Sequence, residues 1–121
     1  MPNILIYIDD IDSNTQEFTK RRYQDFEITF VEDSQIMYKT VLSNFDAILI
    51  DYGRLGDDTY LMRKLVKCRK PLAWYSALSG RCNDDAKRHF PDIIDFHGLP
   101  HADLNELGWL LNEMFPDIMK Y

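Results

Sequence analysis

Short apolar runs of strand length alternate with longer amphipathic segments five times along the chain. The predicted strands span residues 4–8, 27–31, 47–51, 72–76 and 93–96. Each connection between them is long enough to hold a helix, which is the crossover that parallel strands need. The pattern therefore predicts an α/β fold with a doubly wound, five-stranded parallel sheet and helices on both faces.

The amphipathic segments predict five helices, spanning residues 13–23, 34–42, 58–66, 84–90 and 103–114. Polar residues suited to N-caps stand at their starts, and Ser13, Ser34 and Asp103 are the predicted caps. In the last helix, five apolar side chains fall on one face at helical spacing and are assigned to the core: Leu104, Leu107, Leu110, Leu111 and Met114. Pro116 should end this helix and leave residues 116–121 as a short C-terminal tail.

Three acidic residues stand where buried strands should leave the sheet. Asp9 and Asp10 follow the first apolar run, and Asp51 ends the third. If these strands are parallel neighbours, their carboxyl ends share one edge, where open α/β sheets bind their ligands. Clustered carboxylates repel each other unless a cation lies among them, so a divalent metal site is the first hypothesis.

Length, composition and charge limit the classes of protein to which the chain could belong. The chain has 121 residues, of which 45% are hydrophobic, and it fits one domain with one core. No run is apolar for long enough to cross a bilayer, and the beginning of the chain lacks the features of a secretory signal, so a cytoplasmic location is expected. A net charge of -6 argues against direct nucleic-acid binding. The basic run Lys64, Lys67, Arg69 and Lys70 is the local exception, and a solvated helix end explains it better than a binding patch.

Four motifs, spread over nearly the whole chain, resemble those of a known protein family. They are Ile-Asp-Asp at 8–10, Asp-Ala-Ile-Leu-Ile-Asp at 46–51, Pro-Leu-Ala-Trp-Tyr-Ser-Ala at 71–77 and Asp-Phe-His-Gly-Leu-Pro at 95–100. In order and spacing the chain resembles the receiver domain of two-component response regulators. The resemblance implies a flavodoxin-like sheet of order 2-1-3-4-5. It also implies a stand-alone receiver, because no DNA-binding or catalytic region follows the last predicted helix.

The resemblance assigns roles to the acidic residues. Receivers accept a phosphoryl group from a histidine kinase on the aspartate that ends the third strand, which here is Asp51. Mg²⁺ would be held by Asp10 directly, by Asp9 through water, by Asp51 and by the backbone carbonyl of Gly53. Independently of any family, a carboxylate that attacks a phosphoryl group brings two negative charges together, and a hard cation with oxygen ligands must bridge them.

The same resemblance implies a switch and an output surface. Ser76 would hydrogen-bond a phosphoryl oxygen, Ala77 would leave room for the group, and Phe96 occupies the aromatic switch position. The partners would be a sensor histidine kinase or a phosphotransfer protein, and a downstream protein docking on about residues 84–114. The chain is then not expected to be an enzyme.

One position departs from the receiver pattern. Receivers place a lysine immediately before the proline that follows the fifth strand, and Leu99 stands there in this chain. Either phosphorylation persists with a cation supplied by Arg54, Arg81 or a nearby histidine, or the chain is a pseudo-receiver that acts by protein contact alone. The retained acidic residues and Ser76 favour phosphorylation by a narrow margin.

Two other classes compete more remotely. A small Mg²⁺-dependent phosphohydrolase also uses a strand-end aspartate, but the chain offers no cap domain and little room for a substrate. A flavin-binding flavodoxin-type domain would need Ser, Thr and Gly after the first strand, where Asp9, Asp10 and Asp12 would repel a phosphate. Asp12 is as well suited to supporting the metal site as to a purely local role, and His97 and His101 are expected to be loop residues rather than metal ligands.

Overall fold

The computed structural model of the chain describes residues 1–8, 11–51, 58–75, 88, 97–99 and 107–118. Five strands form one sheet: β1 (Asn3–Tyr7), β2 (Glu27–Val31), β3 (Ala47–Asp51), β4 (Leu72–Tyr75) and β5 (His97–Leu99). The helices are α1 (Ser13–Arg22), α2 (Ser34–Lys39), α3 (Thr59–Cys68) and α4 (Leu107–Met114), with a short 3-10 turn at Leu42–Asn44. None of the helices in these ranges is long and apolar enough to cross a membrane.

Every strand pair in the sheet is parallel, and the strand order is 2-1-3-4-5, as predicted. The chain begins in the middle of the sheet with β1, adds β2 on one side, and then returns to add β3, β4 and β5 on the other. The reversal point therefore lies between β1 and β3, which is where doubly wound sheets open a crevice at their carboxyl edge.

The central strands alternate their side chains between two apolar layers. Leu5 and Tyr7 of β1 pack with α2 and α3 on one face, whereas Ile4 and Ile6 pack with α4 and with Tyr23, the residue that follows α1, on the other. Because both layers are buried, the sequences of these strands are continuous apolar runs rather than alternations of apolar and polar residues. The stripe predicted on the last helix is confirmed over its described part, since Leu107, Leu110 and Leu111 are buried.

The described boundaries match the predictions closely in the first half of the chain. β2 and β3 have the predicted bounds, while β1 begins and ends one residue earlier than predicted. The helices α1 and α2 end earlier than predicted: residues 40–42 lie outside α2, and Leu42 begins the 3-10 turn. Of the predicted helix over residues 84–90, only Arg88 is described, and it is helical.

The caps of the first two helices differ from the prediction by one residue. Asp12, not Ser13, caps α1, and Asp33, not Ser34, caps α2; each carboxylate accepts an amide hydrogen bond of 2.7 Å. Both residues have extended backbone, which is the N-cap conformation. A serine beside an aspartate leaves the sequence ambiguous, because both residue types are good caps.

The described fifth strand includes residues beyond the predicted range 93–96. Residues 93–96 fall outside the described ranges, and the described strand is His97–Leu99, with His97 opposite Ala73 of β4. Glycine at position 98 and proline at position 100 are poor strand formers, so only pairing with β4 assigns this segment to the sheet. His97 is therefore a strand residue rather than a loop residue, and His101 lies outside the described part of the chain.

Candidate functional site

Asp51 ends β3 at the carboxyl edge of the sheet. The preceding residue, Ile50, is fully buried, whereas Asp51 is only partly buried, so the chain leaves the core at this carboxylate. Asp51 lies opposite Tyr75 of β4, and Tyr75 lies opposite Leu99 of β5. These three backbone positions form one row across the edge at which such sheets bind ligands.

The acidic pair after β1 follows the sheet toward the same edge. Tyr7 at the end of β1 lies opposite Ile50, and Ile8 continues beyond it, donating its amide to the carbonyl of Val31 at 3.2 Å. Asp9 and Asp10 come next in the chain but lie outside the described residues. The strand order and register agree with their predicted approach to Asp51, and the positions of their side chains stay a prediction.

Several other predicted site residues lie outside the described ranges as well: Gly53, Ser76, Ala77, Phe96, Arg54 and Arg81. Within the described ranges, no three His, Cys, Asp or Glu side chains come together as a metal site would require. Since Asp9, Asp10 and Gly53 are not in those ranges, the predicted Mg²⁺ site stays a prediction.

Leu99 lies within β5 rather than just past it, which corrects its predicted position. One strand, β4, separates its backbone from that of Asp51, and two strand spacings amount to roughly 10 Å. An aliphatic residue offers neither a positive charge nor a side-chain N–H donor. The row that contains Asp51 therefore carries an apolar residue where the receiver pattern has an ammonium group.

Asp12 has a local structural role. Its carboxylate accepts the backbone N–H of Thr15 at 2.7 Å, and this hydrogen bond lowers the pKa of Asp12 below its ordinary value by stabilising the charged form. The carboxylate thus caps α1, the helix that follows the predicted metal ligands. Of the two roles left open by the sequence, the described hydrogen bond supports the capping role.

A hydrogen-bonded brace, formed by Tyr38, Asp58 and Lys64, joins α2 to α3. Asp58 follows residues 52–57, which connect it to Asp51. One carboxylate oxygen of Asp58 caps α3 by accepting the amide of Leu61 at 3.0 Å, and the other accepts the hydroxyl of Tyr38. That hydrogen bond is the main cause of a raised pKa at Tyr38, because the neighbouring carboxylate disfavours the phenolate.

Lys64 of α3 completes the brace by donating hydrogen bonds to α2. Its ammonium donates to the carbonyl of Tyr38 at 2.7 Å and to that of Thr40 at 2.6 Å, which are carbonyls at the C-terminal end of α2. The ring of Tyr38 also meets that of Tyr60 edge to face. The sequence did not predict this arrangement, because Tyr38 lies 20 positions from Asp58 and 26 from Lys64, and contacts between such distant residues leave no periodic signal.

No protein-family model matches the chain, and no curated protein matches it in sequence. Solved structures do match it. The non-phosphorylated HemR receiver domain from Leptospira biflexa superposes with a TM-score of 0.66 at 21% identity, covering 94% of each chain. The receiver domain of Francisella response regulator 1452 gives a TM-score of 0.65 at 23% identity, covering 97% of this chain and 98% of the other. The chain has the fold of a response-regulator receiver domain.

The receiver fold also matches a liganded structure. The response regulator TrrA from Thermotoga maritima, crystallised with Mg²⁺ and a beryllium fluoride, gives a TM-score of 0.56 at 18% identity and covers 95% of this chain and 100% of the other. Within the receiver fold of this chain, Asp51 is the residue that ends the third strand of the sheet. This is the position at which the sequence motifs placed the phosphoryl acceptor.

Proposed function

We propose that this receiver domain accepts a phosphoryl group on Asp51 from a histidine kinase or a phosphotransfer protein. The observation that supports the proposal is the position of Asp51, a partly buried carboxylate that ends β3 at the ligand-binding edge of a receiver fold. A carboxylate in this position is held by the sheet and is only partly buried.

The proposed transfer is an in-line displacement at phosphorus. A carboxylate oxygen of Asp51 forms the new O–P bond while the N–P bond of a phosphohistidine donor breaks and its electron pair stays on the histidine nitrogen. The oxygen donors of Asp51, Asp9, Asp10 and the Gly53 carbonyl suit Mg²⁺, which when bound would neutralise the charge that both reactants bring. The chain would act as the acceptor in a relay rather than as an enzyme that turns over a substrate.

The output of the proposed relay would be protein docking on about residues 84–114. Of this surface, the structure describes the backbone of β5, Arg88 and the side chains of α4 from Leu107 onward. The side chain of Trp109 on α4 is 51% exposed although it is large and apolar. Exposed tryptophan is typical of interface anchors, which supports α4 as part of the docking surface.

A second candidate function is supported by Leu99. With an aliphatic residue at position 99, in the row of Asp51, that position lacks the ammonium expected to contact a phosphoryl oxygen. The chain would then be a pseudo-receiver that binds partners without a phosphorylation cycle.

The deciding experiment is incubation of the protein with acetyl phosphate and Mg²⁺, followed by intact mass measurement and peptide mapping. The phosphorelay proposal expects one phosphoryl group on Asp51, its absence without Mg²⁺, and its absence in Asp51→Asn. Lack of modification in the parent, together with no binding of beryllofluoride, would overturn phosphorylation and leave the pseudo-receiver.

A further inference from the structure

Six residues connect Asp51 to Asp58, and they include one predicted metal ligand, the carbonyl of Gly53. At one end of this connection, Asp51 is fixed in the sheet by the pairing of β3 with β4. At the other end, Asp58 is fixed by the brace that it forms with Tyr38 and Lys64. The brace therefore anchors the far end of the connection that leaves the proposed phosphoryl acceptor.

The carboxylate of Asp58 is fully used by contacts within the protein. One oxygen accepts the amide of Leu61 at 3.0 Å, and the other accepts the hydroxyl of Tyr38. Asp58 is also the N-cap of α3, so these two hydrogen bonds fix the backbone at the point where the chain enters the helix. Any effect of Asp58 on the carboxyl edge would pass through this backbone rather than through direct ligation of a metal.

Tyr38 is the residue that holds the parts of the brace together. Its hydroxyl donates to Asp58, its carbonyl accepts the ammonium of Lys64 at 2.7 Å, and its ring meets that of Tyr60 with centroids 5.4 Å apart. All three partners lie at the N-cap or in the first two turns of α3. The brace thus holds the end of α3 at which the chain arrives from Asp51.

Tyr7 places the other acid-bearing strand next to the same tyrosine. It ends β1, two positions before Asp9, and it is buried in the apolar layer against which Tyr38 packs. The pKa of Tyr38 is raised mainly by its hydrogen bond to Asp58, and the charge interaction with Tyr7 adds to this shift, which places the two phenols within electrostatic range. The strand that leads to Asp9 and the connection that follows Asp51 are therefore both anchored near Tyr38.

We propose that Tyr38 and Asp58 are positioning residues for the Mg²⁺ site at the carboxyl edge, because their hydrogen bond fixes the connection that carries part of the site. This inference rests on the proposed function, since it concerns the same site. Ligands on a fixed segment lose less conformational entropy when a cation binds than ligands on a loose segment do. Such coupling is reciprocal, so a cation that binds at the edge should also strengthen the brace.

Isothermal titration calorimetry of the whole protein, freed of metal beforehand, measures the affinity for Mg²⁺. Tyr38→Phe removes the hydroxyl donor, and Asp58→Ser removes the acceptor for that hydroxyl while keeping a good N-cap. Each variant should bind Mg²⁺ at least about fivefold more weakly than the parent. The double variant should be about as weak as either single variant, because both changes break the same hydrogen bond.

Two control variants separate positioning from general stability. Tyr60→Phe keeps the ring that meets Tyr38, and Gly108→Ala introduces a close contact with Tyr23 on the opposite face of the sheet. Both should keep the Mg²⁺ affinity of the parent, and circular dichroism with urea unfolding shows that each variant is folded. In NMR spectra of the parent, Mg²⁺ should shift the ring signals of Tyr38, and this shift should be smaller in Asp58→Ser.

The outcomes distinguish this inference from the proposed function on which it rests. A parent that binds no Mg²⁺ would overturn the metal site itself and the positioning role with it. If the parent binds Mg²⁺ and both brace variants bind it equally well, only the positioning role is overturned. A loss of the same size in either control variant, or an additive loss in the double variant, would also overturn it.

Discussion

Leu99 is the residue that most affects how a phosphoryl group could bind at the carboxyl edge of the sheet. Its backbone lies in the same row as Asp51, with Tyr75 between them. A lysine at position 99 would start from a strand position in the same row as Asp51. The site can therefore be tested by restoring one side chain.

Leu99→Lys should strengthen the binding of beryllofluoride or the extent of phosphorylation by acetyl phosphate. The physical reason is a charge-assisted contact to a phosphoryl oxygen, worth about 1 to 3 kcal/mol. Titration monitored by NMR or mass measures the effect, and Asp51→Asn combined with Leu99→Lys is the control that should abolish it. If the lysine adds nothing to a parent that already responds, another cation fills the role, and Arg54 and Arg81 become the residues to mutate.

At the scale of elements, hydrogen bonds join α2 to α3 beside the apolar layer on which both helices pack. Tyr38 and Lys64 each reach across to the other helix, and Asp58 receives the tyrosine hydroxyl while capping α3. These contacts fix the start of α3. Residues 52–57 connect that point to Asp51. Removing one partner leaves the others with unsatisfied polar groups.

Tyr38→Phe should lower the free energy of unfolding at neutral pH, and the deficit should shrink at high pH. The pKa of Tyr38 is raised in the folded protein above its ordinary value of 10.0, so the stabilising contribution of its hydroxyl is fully present below pH 10.0 and is lost as the pH rises through the folded pKa. Urea unfolding of both proteins at several alkaline pH values measures this. Tyr60→Phe, in the ring that meets Tyr38, is the matched control and should show no comparable trend.

The packing of α1 against α4 gives a second prediction at this scale. A Cβ atom at Gly108 would lie 2.9 Å from the hydroxyl oxygen of Tyr23, a side chain that is only 5% exposed. Gly108→Ala should therefore not deliver the gain of up to about 1 kcal/mol that alanine brings within a helix, and it should instead destabilise the protein.

Tyr23→Phe should rescue Gly108→Ala, because the remaining ring atoms would lie 3.6 Å or more from the new Cβ. A double-mutant cycle from urea midpoints isolates this coupling from the cost of losing the hydroxyl itself. A purely additive cycle would contradict the steric explanation.

At the scale of the whole molecule, the doubly wound sheet gathers strand ends that are distant in sequence on one edge. The order 2-1-3-4-5 makes β1 and β3 neighbours, so the chain leaves both strands at the same edge. The approach of Asp9 and Asp10 to Asp51 at this edge stays a prediction. A cation that binds there should bind the folded state alone, since the unfolded chain does not bring the strand ends together.

Millimolar Mg²⁺ should raise the melting temperature of the protein. A ligand at ten times its dissociation constant stabilises the native state by about 1.4 kcal/mol, which is a few degrees for a domain of this size. Differential scanning calorimetry with and without Mg²⁺ measures the shift, and Asp51→Asn should reduce it. An unchanged melting temperature in the parent would remove the metal site from the proposal.

The sequence by itself determined the class of fold and the position of the acceptor candidate. Short apolar runs such as residues 47–50 favour strands buried on both faces, and the longer amphipathic segments between them favour helices. The strand-end position of Asp51 follows from the same pattern, because a charged residue ends a buried run where the chain reaches solvent. These signals lie within short segments of the chain. A sequence that buries a core places its apolar residues at the spacing of its own strands and helices, so the pattern is present in the sequence itself.

Only the tertiary structure decided which residues complete the elements and which polar groups meet. The strand His97–Leu99 was not predicted because these residues have no strand pattern, and their pairing with β4 assigns them to the sheet. The hydrogen bond between Tyr38 and Asp58, which are separated by 20 positions, is likewise invisible to any periodic signal. Hydrogen-bond partners depend on how elements pack in three dimensions, whereas the pattern of buried and exposed positions follows from the order of residues in the sequence.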